Sequence, residues 1–108
     1  MAGMTVTYQY PVTSAPTVAQ MLKRQQLIAT VASGAGANDD ATDVVHSFNT
    51  SSTGADGQPV INVAMVAQGS AAVVPSVNYK DANTVTVTSN AKGANCNFTI
   101  QLTLERRE

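Results

Sequence analysis

Apolar residues recur at every second position near the start of the chain, where Val6, Tyr8, Tyr10 and Val12 alternate with Thr5, Thr7, Gln9 and Pro11. A period of two sends successive side chains to opposite faces of a strand, so this ribbon has one sticky face. Pro11 has no amide hydrogen to give to a ladder, which predicts an edge strand or an extended arm. Ser14-Ala15-Pro16-Thr17 then supplies turn and cap residues, and Thr17 with Gln20 three positions later has the form of a capping box that opens a short helix. Val18, Met21, Leu22 and Ile28 fall near one helical face, whereas Leu27, Ala29 and Val31 alternate. The helix is therefore expected to yield to a strand near Gln25.

Ser33–Ala41 is a loop of small and polar residues, and Thr42–Phe48 resumes the alternation with Val44, His46 and Phe48 on one face. A polar run from Asn49 to Gly57 ends in the turn signal Asp56-Gly57. Val60–Ala67 is apolar on both sides, the pattern of a central strand buried on two faces. Val73–Tyr79, Thr84–Thr88 and Asn95–Leu104 follow, separated by Lys80–Asn83 and Ser89–Gly93, and the spacing predicts a meander of hairpins. In the last strand Cys96, Phe98, Ile100, Leu102 and Leu104 point one way and Asn97, Thr99, Gln101 and Thr103 the other. The rhythm predicts an all-β antiparallel β-sandwich with a meander and Greek-key-like connections. Residues 1–16 form an N-terminal extended arm in this reading, and residues 17–108 form the sandwich domain.

Composition narrows the function classes. The 108 residues fit one domain. Charged residues make up only 12% of them, about half the usual share, and the net charge is −1. That balance argues against a nucleic-acid partner or an electrostatic membrane binder. It suits a surface that partners cover. No stretch approaches the roughly 18 apolar residues of a membrane span. The opening MAGMTVTYQYP has neither a basic n-region nor an apolar run, so no secretory targeting segment is expected in it. Cys96 is the one cysteine, which leaves no disulfide within these residues, and it is expected to be a small buried hydrophobe.

Candidate chemistry is sparse. His46 is the sole histidine, and its nearest acid, Asp43, lies three residues away on the opposite face of a strand, with no hydroxyl in a nucleophile elbow. A histidine at a rim or interface is expected, and no enzymatic activity. Asn38, Asp39, Asp40 and Asp43 gather oxygen donors, but their spacing is not that of an EF-hand loop and no closing Glu follows. A solvated loop is expected there, and neither metal nor cofactor. The basic pairs Lys23-Arg24 and Arg106-Arg107 lack the interleaved aromatics of a single-strand binder and are expected as solvated ends or interface salt bridges. Val6, Tyr8, Tyr10 and Val12 are the candidate partner-binding residues. A peripheral strand can add itself to a neighbour's sheet edge, and the competing expectation is that its tyrosines fold back on their own sandwich.

His46-Ser47-Phe48, Pro59-Val60-Ile61-Asn62-Val63, Asp81-Ala82-Asn83-Thr84-Val85-Thr86-Val87-Thr88 and Phe98-Thr99-Ile100-Gln101-Leu102 together resemble the small β-sandwich virion proteins of tailed bacteriophages, over roughly residues 44–107. These include capsid decoration, or cement, proteins. The resemblance implies a non-enzymatic subunit on the capsid surface that stabilises the head shell. Its partners would be the major capsid protein and copies of itself, as a trimer, with no nucleic acid and no membrane. The same rhythm also resembles lectin-type sandwiches of phage tail fibres, which implies a carbohydrate- or receptor-binding module as the alternative. The lack of Trp weighs against that, with Tyr79 as the one aromatic platform considered.

Overall fold

A computed structural model of the chain describes residues 4–33, 41–49, 58–69, 75–89 and 97–106. The described residues form seven strands and one helical turn: β1 Met4–Tyr10, α1 Val18–Met21, β2 Gln26–Ser33, β3 Ala41–Val45, β4 Val60–Gln68, β5 Ser76–Asp81, β6 Thr84–Thr88 and β7 Phe98–Glu105. They make two antiparallel sheets, one ordered β1-β2-β7-β4 and the other β3-β6-β5. This is the all-β two-sheet architecture that the alternation predicts.

The central strand of each sheet carries the most regular pattern. In β7, Phe98, Ile100, Leu102 and Leu104 are buried, and the register sets Leu27, Ala29 and Val31 of β2 beside Leu104, Leu102 and Ile100. Val44 of β3 and Val85 and Val87 of β6 supply the inner face of the second sheet, and all these side chains join one core with Met21, Phe48 and Phe98. Facing residues of two sheets share one apolar layer because only the inner face of each half-polar strand can leave water.

The helix forms where its cap predicts. Thr17 accepts from the Gln20 amide and the Gln20 side chain accepts from the Thr17 amide, which satisfies two otherwise orphaned donors of a four-residue helix. One turn is too short to persist alone, and the fully buried Met21 anchors it to the end of the sandwich where β2 begins and β7 ends.

Four sequence expectations are narrowed or corrected. First, of the edge strand and the extended arm expected for the opening ribbon, with residues 1–16 read as an arm, residues 4–10 take the edge strand: β1 lies beside β2, paired from Met4↔Ser33 to Tyr10↔Ile28. Second, the register shifts between Tyr8 and Tyr10, so the two tyrosines leave the common face that simple alternation assigns them. Third, β5 and β6 form the expected hairpin through Ala82-Asn83, but β6 and β7 do not. They lie in different sheets, and the chain between them crosses from one to the other. A largest departure concerns β4, which is an edge strand rather than a central one.

Tyrosine hydroxyls tie the two sheets together at both sides. At the β1/β3 side the Val45 amide donates to Tyr8 Oη over 2.9 Å. The small Ala29 beside Tyr8 leaves room for the ring to lie on the core. At the β4/β5 side Tyr79 Oη donates to the Pro59 carbonyl over 2.9 Å. Tyr8→Phe and Tyr79→Phe are each expected to cost about 1 kcal/mol, the net worth of one such bond. The latches share no partner and lie on opposite sides, so urea denaturation of the double variant should give the sum within about 0.5 kcal/mol.

Candidate functional site

The residues with chemical potential do not converge. His46 lies just past β3 with its side chain fully buried, and Asp43, on the opposite face of the strand, is exposed. Asp43 Oδ2 accepts from Lys80 Nζ at 2.6 Å and Oδ1 from Thr86 Oγ1 at 3.0 Å. The lysine bond holds the Asp43 carboxyl below its ordinary range; desolvation opposes it, and the Thr86 bond and the charge of Lys80 add to the lowering. This pair is a solvent-screened tie across the outer face of the three-stranded sheet, and it leaves His46 without a carboxylate orienter.

His46 sits in the interior instead of at a rim. Its Nδ1 accepts from the Phe48 amide at 3.0 Å, which fixes a neutral ring with the proton on Nε2, and Nε2 has no hydrogen-bond partner. Its ring centroid lies 5.0 Å from that of Phe48. Burial holds the imidazole pKa down to about 4; the Asp81 carboxylate pulls it upward and the Arg106 guanidinium pushes it down. The backbone around it turns sharply, with Ser47 at φ 53° and Asn49 at φ 55° in the left-handed region. Such angles are costly for residues with a Cβ and persist where surrounding bonds hold them. Here the Asn83 carbonyl accepts from the His46 and Ser47 amides, Asn83 Oδ1 accepts from the Asn49 amide, and Ser47 Oγ donates to the Pro16 carbonyl.

Arg106 closes this end of the sandwich. Its guanidinium donates to the carbonyls of Met21 at 2.6 Å, Phe48 at 3.0 Å and Arg24 at 3.0 Å, and lies 4.7 Å above the centre of the Phe48 ring. Its own amide donates to the Gln25 carbonyl. The expectation of a solvated end or a salt bridge is thus corrected for Arg106, whose partners are backbone carbonyls at a helix terminus and a loop. Arg107 lies outside the described residues, as do Cys96 and the Asn38-Asp39-Asp40 part of the acidic patch. Among the described residues no three His, Cys, Asp or Glu side chains gather as metal ligands, and no helix is long and apolar enough to cross a membrane.

The four candidate partner-binding residues divide. Val6 and Tyr8 pack against their own core, the fold-back alternative, while Tyr10, opposite Ile28, is exposed and Val12 is half-buried beyond the strand. Tyr79 is engaged by Pro59, with its ring against the core.

The unguarded surface lies elsewhere. Val60, Val63, Met65 and Val66 of β4 are 37%, 47%, 44% and 63% exposed. The register with β7 explains two of them. Ile61, Val63 and Met65 lie opposite Leu104, Leu102 and Ile100 and so share the inner face. Ile61 packs on the core, and Val63 and Met65, next on that face, remain exposed. An apolar run on both faces therefore marks here an edge strand, the same sequence pattern as a doubly buried strand. No protein-family model matches this chain, and no curated protein or solved structure is significantly similar to it.

Proposed function

We propose that this chain is a non-enzymatic virion structural subunit of a tailed bacteriophage, a capsid decoration protein that reinforces the head shell through contacts with the major capsid protein and with copies of itself. The observation that carries the reading is the uncharged, exposed edge of β4, with Val60, Val63, Met65 and Val66 open to solvent. Edges of this kind are hazards in a free monomer and are normally blunted by charge, proline or cover. A long one left open is a surface for assembly. The low charge of the chain supports the same reading, because few ionic groups must be desolvated when a neighbour covers the surface. The resemblance of residues 44–107 to phage sandwich proteins supplies the particle. On a shell, modest contacts repeated by symmetry add up to firm attachment.

Quantitative mass spectrometry of purified particles tests it. The chain should be present at a copy number comparable to the number of capsomers, made in the host cytoplasm and recovered on the capsid. A copy number far below that, or absence from the particle, contradicts a shell-wide role.

A further inference from the structure

We infer that β4 is a self-association edge, on which a second copy of this chain pairs its own β4 antiparallel about a two-fold axis through Val63. The inference deepens the assembly reading above and rests on it for its biological purpose, while its physical test needs no particle.

The four sheet edges are not equivalent. β3 carries Asp43, β5 carries Lys80 and Asp81, and β1 runs into Pro11. Charges and proline are the ordinary means by which a sheet discourages a further strand. β4 carries neither in nine residues, Val60–Gln68, its one irregularity being the register shift between Met65 and Ala67, and it is the longest strand described. Among the described residues no strand pairs with its outer side.

A second copy fits this edge because the strand is complementary to itself. With Val63 facing Val63, antiparallel pairing sets Ile61 against Met65 on the inner face, so every inner-face pair is apolar. On the outer face Asn62 meets Ala64, and the register shift between Met65 and Ala67 ends the regular stretch at Met65. No charge opposes its like anywhere along the strand, which a two-fold arrangement would otherwise force. The two four-stranded sheets would continue as one sheet of eight. Val63 and Met65, which lack cover within one copy, would cover one another.

The contact is small. The five paired residues Ile61–Met65 span about 17 Å, and a strip about 10–15 Å wide covers roughly 200 Å² per copy, well below the ~800 Å² per partner of a stable complex. Association is therefore expected to be weak and concentration-dependent in solution, and to become effective where other contacts already hold neighbours side by side.

Sedimentation velocity of the full chain across concentrations up to about 1 mM, where such a small contact becomes populated, should show a monomer passing to a dimer. Ala64→Lys and, separately, Val63→Lys should leave the circular dichroism spectrum unchanged and abolish the dimer. In a Cys96→Ser background, Val63→Cys should form an interchain disulfide under mild oxidation, since facing side chains approach within disulfide reach. Val66→Cys, which lies at the register shift and far from its own counterpart across the two-fold axis, should not. A monomer at every concentration, or equal cross-linking at both positions, overturns the inference. A trimer insensitive to both lysine substitutions overturns it too, yet leaves the virion reading intact. A Val63-dependent dimer of a chain absent from particles would instead sink the virion reading alone.

Discussion

Replacing Arg106 with alanine is expected to destabilise the protein by about 3 kcal/mol, the largest effect of any single surface-derived side chain. Bonds from a charged donor are each stronger than neutral ones, and three such bonds, to the carbonyls of Met21, Arg24 and Phe48, are lost at once, with only the Arg24 amide still donating to Met21. The stacking on Phe48 is lost with them. For a domain of this size a loss of about 3 kcal/mol lowers the melting temperature by roughly 12–20 °C. Arg106→Lys should recover only a minor part, because a point ammonium cannot reach three carbonyls in the fork geometry of a guanidinium. Thermal denaturation followed by circular dichroism checks both variants. A melting temperature within a few degrees of the wild type for Arg106→Ala would show that water replaces the clamp at no cost.

Acidification is expected to weaken the fold through His46. The folded-state pKa of about 4 lies below the ordinary 6.5, so above pH 6.5 the ring is neutral in both folded and unfolded chains and its contribution to stability is complete. As the pH falls from 6.5 to 4 the unfolded chain takes up a proton that the folded chain refuses, and stability declines. The loss across that window is about 3 kcal/mol. The Asp43 carboxyl acts only below its ordinary value of 3.8, and weakly, since it is exposed, so the two effects separate along the pH axis. His46→Asn isolates the cause. An asparagine Oδ1 can accept the amide two residues on, as Nδ1 does for Phe48, but does not titrate. Urea denaturation between pH 7 and pH 4 should show the decline in the wild type and a nearly flat line in His46→Asn. Equal slopes in the two proteins would place the acid sensitivity elsewhere.

The two sheets and their core were legible wherever one face of a strand meets the core and the other meets water. β7 and β6 alternate without a break, and Leu27, Ala29 and Val31 do the same, so their period of two reports burial directly. The Thr17–Gln20 cap was legible because it is local, a side chain bonding three residues away. Three things were not. The shift at Gln9 that separates Tyr10 from Tyr8 leaves no mark in an alternating sequence, since a bulge is one extra residue in the ladder. The position of β4 depends on which strands pair over long range, and an apolar run reads the same in a doubly covered strand and in an uncovered edge. Arg106 looked like a solvated terminus because its partners are backbone carbonyls 58 to 85 residues away, and carbonyls are invisible to residue type. His46 kept its predicted side of the strand, opposite Asp43, yet its depth followed from Phe48, Asn83 and Arg106 closing over it.

The central claim, that β4 is an open edge made to be covered by another copy, is tested most directly by hydrogen exchange at its own backbone. The full chain is compared at low micromolar concentration and at about 1 mM, where a contact of this size becomes populated. The account predicts that amides in Val60–Gln68 gain protection at high concentration, while those of β7, already paired on both sides, stay unchanged. Exchange in β4 that is identical at both concentrations would contradict it.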